Sequence, residues 1–189
     1  MNATPAPGPP TLVTTRLALR DLRAEDASAI AAGAGDPRVA RYLVQVPSPY
    51  PVALARRWVA HRREWWPLGR GVTLAIALRD APDQLLGTVS LRRFARDRRA
   101  ELGYWLAAAH WGHGFATEAC RGIVAFGFGQ LELARIYAQV LAGNAPSMRV
   151  LEKIGMVHEG VKRQHVKKGH HLHDIVLYGL LRDEWRNST

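Results

Sequence analysis

Trp105-Leu106-Ala107-Ala108-Ala109-His110-Trp111-Gly112-His113-Gly114-Phe115-Ala116-Thr117-Glu118-Ala119 carries most of the architectural information in this chain. An apolar strand end enters a turn with two glycines, and the turn passes straight into a helix-forming run. Such a turn lets consecutive backbone N–H groups converge on one point, and the helix end adds its positive field, which together make an anion site. Glycines at 112 and 114 can take positive φ and admit a phosphate oxygen closely, while Ala116 keeps the first helical turn thin. The field of a helix end contributes about 0.3–1 kcal/mol, and up to about 2 when partly buried, so hydrogen bonds from the amides must do most of the holding. A Walker A loop would need a Gly-Lys-Ser/Thr ending, and a dinucleotide fingerprint would need three spaced glycines after an early parallel strand; neither is present.

Working outward, residues 117–129 read as the helix itself, with Ala119, Ile123 and Phe126 on one side. Upstream, strand-like runs at 72–78, 85–91 and 100–106 are separated by polar turns at 79–83 and 93–98, the pattern of an antiparallel meander. Before them, Leu12, Leu17, Leu19 and Leu22 alternate as a first strand, and Glu25-Asp26 open an alanine-rich helix that ends near Gly33–Gly35. Pro47, Pro49 and Pro51 stiffen a loop, and residues 52–65 have helical spacing up to Pro67. Downstream come a strand at 134–141, a short helix at 145–154 after Asn144, a strand at 156–164, a hairpin turn at Lys167-Lys168-Gly169 and a strand at 172–181. The fold class that follows is α/β, with one mixed, mostly antiparallel sheet flanked by four helices. Residues 1–10, with four prolines, read as a tail, and 11–189 as one domain.

The length of 189 residues, 48% apolar and 22% charged, is that of an ordinary globular domain and excludes wholesale disorder. One cysteine, Cys120, excludes an internal disulfide and a cysteine metal cage. The longest run without Asp, Glu, Lys or Arg has 16 residues, short of the roughly 20 a membrane span requires, and the N-terminus has no apolar signal core; a cytoplasmic protein is expected. The net charge of +10 raises nucleic acid as a partner, but the excess is spread along the chain, with no basic arm and no nucleic-acid motif. His165, His170, His171 and His173 lie together without a cysteine or acidic pair to complete a metal site, so a solvated hairpin is the expectation and no metal is assigned.

Residues 111–119 resemble motif A of the GNAT acetyltransferases, Gln/Arg-x-x-Gly-x-Gly/Ala. They are closer to the branch holding the ribosomal-protein N-terminal alanine/serine acetyltransferases, in which a tryptophan commonly stands where Trp111 does. Three further pieces agree in order. Thr15-Arg16-Leu17-Ala18-Leu19-Arg20 with Glu25-Asp26-Ala27 is similar to the opening strand and helix of that branch, and Glu101-Leu102-Gly103-Tyr104-Trp105-Leu106 to its fourth strand. Asn144-Ala145-Pro146-Ser147-Met148-Arg149-Val150-Leu151-Glu152-Lys153-Ile154-Gly155-Met156 resembles its Asn-x-x-Ser-x-x-x-Leu-Glu-Lys-x-Gly-Phe signature.

The resemblance implies acetyl-CoA as donor, wedged between splayed parallel strands four and five at 100–106 and 134–141. Backbone groups of Trp105 and Leu106 would pair with the pantetheine arm, and the amides of Gly112, His113, Gly114, Phe115, Ala116 and Thr117, beside Trp111, would hold the pyrophosphate. Asn144 would bond backbone or pantetheine. Direct acyl transfer needs a base for the amine and a proton for the thiolate: Glu101, on the strand leading to the acetyl site, is the candidate base, and Ser147 the candidate acid. Each has a plainer reading, Glu101 as a salt-bridged strand residue and Asn144 and Ser147 as a helix cap. Cys120 reads as a small core residue rather than an acyl-cysteine nucleophile, and Tyr42, Tyr50 and Trp66 as a wall of the acceptor cleft. The expected activity is N-acetylation of a primary amine, foremost a protein or peptide N-terminus. A small amine such as an antibiotic or polyamine, or a non-catalytic acyl-CoA sensor, are the alternatives; a monomer and a homodimer are both left open.

Overall fold

Eight strands form in the computed structural model, which describes residues 8–186, with burial alternating along β6 and nearly continuous along β3. The tail expected at 1–10 therefore lies mostly outside the described residues. β1 (Leu12–Val13) and β2 (Leu17–Asp21) form a small antiparallel hairpin in place of the single first strand expected. The break is local hydrogen bonding: the Thr14 hydroxyl accepts from Leu17 N at 3.1 Å and Thr14 N donates to the Leu17 carbonyl at 2.9 Å, closing a turn. α1 (Asp26–Gly35) follows, then α2 (Pro37–Ala40) and α3 (Val52–Arg63). α2 is too short to show a period in the sequence; the Asp36 carboxylate caps Arg38 N at 2.9 Å with Pro37 at the first position.

β3 (Gly71–Leu78), β4 (Gly87–Phe94) and β5 (Arg99–Leu106) form the expected meander. α4 (Phe115–Gly129), β6 (Arg135–Leu141), α5 (Ala145–Lys153), β7 (Val157–Lys168), β8 (His171–Leu181) and α6 (Arg182–Arg186) complete the described chain. β7 continues past Gln164, where the sequence suggested an end, by taking register shifts, and the hairpin turn is displaced to Gly169 and His170. α1, α3, α4 and α5 are the four helices anticipated, with α2 and α6 as short additions. The strand order is β1-β2-β3-β4-β5-β6-β8-β7, and only β5 and β6 pair in parallel. No helix among the described residues is long and apolar enough to cross a membrane.

The helices cover the two faces unequally. α4 and α5 bury Ala119, Cys120, Ile123, Val124 and Leu151 against Leu74, Leu91, Leu102 and Ile136 of the sheet. α1 and α3 bury Ile30, Ala31, Ala55 and Val59 with Leu22 and Ala75 on the other face. Each fully buried Leu or Ile contributes about 1.5–3 kcal/mol, so the larger cluster on the α4 side dominates stability.

One feature of the register creates a space. β5 pairs with β6 only from Arg99↔Arg135 to Leu102↔Ala138. β5 nevertheless continues along β4 to Leu106↔Gly87, and β6 continues along β8 to Leu141↔Ile175. The two parallel strands therefore splay beyond Leu102 and Ala138, and the resulting gap opens beside the N-terminus of α4.

Candidate active site

Backbone polarity lines the gap. Ala107 N donates to the Leu86 carbonyl at 2.8 Å, and the Trp105 carbonyl points at β4, where a Cβ on Gly87 would lie 2.1 Å from it. Alternation then turns the N–H and C=O groups of Tyr104 and Leu106 toward the unpaired side. The Leu106 carbonyl is taken by the Trp111 indole Nε1 at 2.9 Å, which ties the loop back to the strand. The Tyr104 pair and the Leu106 N–H are left facing the gap, while Trp105 contributes its side chain.

After β5, a single 3-10 turn at Ala108–His110 leads into the glycine loop. Gly112 has φ +84° and Gly114 φ +79°, the left-handed conformation that glycine alone takes without strain. The first helical bond of α4 runs from Glu118 N to the Gly114 carbonyl at 3.1 Å. Upstream of it, the N–H groups of residues 112–117 find no acceptor among the described residues, and Gly114 has no side-chain cap. Six consecutive donors at a helix end constitute a nest for an anion.

This loop is braced from the β1–β2 bend. Arg16 donates from Nη1 to the His113 carbonyl at 3.0 Å and from Nε to Glu118 Oε2 at 2.7 Å, and its guanidinium lies 4.7 Å over the Phe115 ring. Arg16 N and Thr14 Oγ1 both donate to Glu118 Oε1, at 2.7 and 2.6 Å. Partial burial works against ionisation of Glu118, yet the bonds from Thr14 and Arg16 hold its carboxyl below the usual carboxylate range. Arg16 and Glu118 stand 102 residues apart in separate sequence motifs, and no local pattern joins them. The acidic residue in the first turn of α4 was the available signal.

On the α5 side, Asn144 caps the helix, its Oδ1 accepting from Ser147 N at 3.3 Å. The Ser147 hydroxyl lies 2.7 Å from the Tyr104 hydroxyl, which also donates to the Ser147 carbonyl at 3.0 Å. Burial, with Cys120 adding to it, pushes the Tyr104 phenol well above its ordinary range, so it stays protonated. Cys120 is fully buried and its thiol is likewise pushed up by burial, which suits packing and not nucleophilic attack.

On the opposite, α3 side lies Glu101, three residues from Tyr104 and therefore on the other face of β5. Its carboxylate is ion-paired with Arg92, its cross-strand neighbour, and accepts from Gln139 Nε2 at 3.2 Å. Trp105 packs against Gly33, where a Cβ would come within 2.9 Å of the indole, and Tyr50 packs on Gly35. Trp66 is not in this wall. It joins the α4 core, its ring 6.2 Å from Phe126. No group of three or more His, Cys, Asp and Glu side chains that could hold a metal ion is found among the described residues.

A sequence profile described as an acetyltransferase (GNAT) domain matches residues 16–157. The chain is 33% identical over 176 residues to the uncharacterized N-acetyltransferase p20 of Bacillus licheniformis, covering 93% of this chain and 98% of that one. It is 39% identical over 105 residues to the putative ribosomal N-acetyltransferase YdaF of Bacillus subtilis, covering 55% and 57%. Among solved structures, Mycobacterium smegmatis RimJ in complex with CoA-disulfide superposes with a TM-score of 0.83 at 24% identity, over 93% of this chain and 89% of that one. A gap between splayed parallel strands beside a nest of free amides fits the acetyl-CoA that such enzymes use. The chain thus belongs to the GNAT acetyltransferase family and is an acetyl-CoA-dependent acyltransferase.

Proposed function

We propose that this acyltransferase works in the cytoplasm and transfers acetyl directly to the α-amine of a protein or peptide N-terminus. The observation that carries this reading is the state of Glu101. Its carboxylate is held by Arg92 and Gln139 on the acceptor side, so the group facing an incoming amine is a carboxylate, a weak base by its chemistry. An α-amine of pKa near 8 costs only about 1.4 kcal/mol to deprotonate at pH 7, whereas a lysine near 10.4 costs about 4.6 kcal/mol. The α-amine is the acceptor that such a base can serve. The description of YdaF as a putative ribosomal N-acetyltransferase points the same way, and a net charge of +10 repels polyamines at long range.

The donor supplies an activated acyl group, and the protein's own groups do the rest. The amides of Gly112, His113, Gly114, Phe115, Ala116 and Thr117 hold the pyrophosphate, with the His113 imidazole adding a donor. Trp111 fixes this loop to Leu106. The main-chain N–H and C=O of Tyr104 pair with the pantetheine arm in the manner of an added strand, and Asn144 keeps the facing helix end in place. The Leu106 N–H polarises the thioester carbonyl. Trp105 shapes the acceptor side, where Glu101 receives the amine proton as the N–C bond forms. On the other face, Ser147 gives a hydrogen bond to the sulfur as the C–S bond breaks, and solvent restores the proton count.

The test is a panel of acceptors incubated with acetyl-CoA: peptides with free N-terminal Ala or Ser, an N-terminally blocked peptide containing lysine, and spermidine. Thiol release and product mass are followed. Turnover is expected with the free N-termini, and release confined to lysine or spermidine would overturn the assignment; a protein that binds acetyl-CoA but acetylates nothing would be a sensor.

A further inference from the structure

The acceptor side of the gap holds a cation without a counter-ion. Arg62, near the end of α3, lays its guanidinium 3.8 Å from the centre of the Trp65 ring and 5.3 Å from that of Trp58. Its Nε is buried with no hydrogen-bond partner, and none of the ion pairs among the described residues includes it. Trp58, Tyr50 and Trp105 pack on one apolar cluster with Ala55 and Val59. Trp105 in turn shares its face of β5 with Glu101, so Arg62 borders the site from which the amine must approach. Burial first, and then Arg92, pull the Arg62 guanidinium down to about 10, with Glu101 and Tyr50 acting the other way; these groups feel one another's charge.

Arg92 is already committed to Glu101. Two guanidiniums therefore share one carboxylate, and Arg62 is the member left over. A partly buried charge with no partner is costly and is satisfied when a ligand brings the opposite charge. The guanidinium fork matches a carboxylate in two-point geometry, and the indole beneath it holds the plane in position.

We propose that Arg62 receives a carboxylate of the acceptor, so that the preferred amines carry an anionic group close to the reacting nitrogen. An N-terminal peptide with Asp or Glu near its start has that chemistry through its side chain, and a free amino acid has it through its α-carboxylate. The inference rests on the α-amine acetyltransferase reading above and narrows it to acidic acceptors.

Thiol release is measured with amidated Ala-Asp-Phe, Ala-Asn-Phe and Ala-Lys-Phe, and with alanine against alaninamide. The acidic member of at least one series should exceed its neutral partner in kcat/KM by roughly 10- to 100-fold, the value of one charge-assisted hydrogen-bonded contact. Preference within the peptides assigns the side-chain carboxylate, and preference for alanine over alaninamide the α-carboxylate. Arg62→Met, which keeps the stem packed on the indoles, should bring the favoured ratio close to one, and Arg62→Lys should restore part of it. Equal rates for acidic and neutral acceptors in the wild type, or a ratio that survives Arg62→Met, would overturn the inference while leaving N-acetyltransferase activity intact. If Arg62→Met fails to fold by circular dichroism, the wild-type ratios and Arg62→Lys decide. Absence of turnover with every amine would overturn the function itself, and this inference with it.

Discussion

Tyr104 and Glu101 stand three residues apart on β5, and that odd spacing sends one to each face of the sheet. Ser147, in contact with Tyr104, and Glu101 thereby lie toward opposite faces of the sheet, and under the proposed mechanism the amine would enter from the α3 face while the thiol departs toward α5. Glu101 and Ser147 were legible as chemistry-bearing residues within their motifs. Tyr104 was legible only as a strand residue, because its contact with Ser147 joins positions 43 residues apart. Its phenol stays protonated, and under the proposed mechanism it would orient the serine rather than give up its own proton. Tyr104→Phe keeps the ring and removes the 2.7 Å contact. We expect kcat to fall about 2- to 10-fold with little change in the KM for acetyl-CoA. Steady-state kinetics with one N-terminal peptide provide the measurement, and an unaltered kcat would remove the orienting role.

At the level of elements, the loop between β5 and α4 is a local product. Two glycines with positive φ and a helix with an unclosed N-terminus follow from short-range rules, and both were readable from the sequence. Its rigidity is not local. The clamp of Thr14 and Arg16 on Glu118 and on the His113 carbonyl requires the β1–β2 hairpin to fold against α4, and the turn at Thr14 that breaks the first strand is what presents Arg16. Because the folded state depresses the Glu118 pKa, its ionised form contributes stability at pH values above the unfolded value of about 4.3, and that contribution is lost as pH falls through the lower, folded value. Glu118→Gln should therefore lower the melting temperature at pH 7, and the difference from wild type should shrink progressively below about pH 4. The same variant should weaken coenzyme A binding by calorimetry at pH 7, since the nest loses its brace. A melting difference that is constant with pH would show that the carboxylate charge is not what the loop depends on.

Across the whole molecule, a buried ion pair joins elements that the two helical layers alone would leave loosely connected. Arg20 on β2 makes two hydrogen bonds of 2.8 Å to the Asp26 carboxylate at the start of α1, and its Nε donates at 2.6 Å to the Pro82 carbonyl in the β3–β4 turn. Both side chains are at most 7% exposed, so deleting one strands the other in a poorly solvated site. Arg20→Met is expected to cost about 3–5 kcal/mol in urea unfolding, and Arg20→Met with Asp26→Leu to recover most of it; a single-variant cost below about 1 kcal/mol would mean that the pair is effectively solvated. The sequence by itself determined the mixed sheet, the meander, the four main helices and the glycine turn that leads into α4, because period, capping and glycine chemistry act within a few residues. Only the tertiary structure decided that the expected splay of β5 and β6 begins after Leu102, that Arg16 grips Glu118, and that the Arg62 Nε is buried without a partner. Where a ladder stops and which charge lacks a partner depend on what distant elements bring to the same place, and no local pattern encodes that.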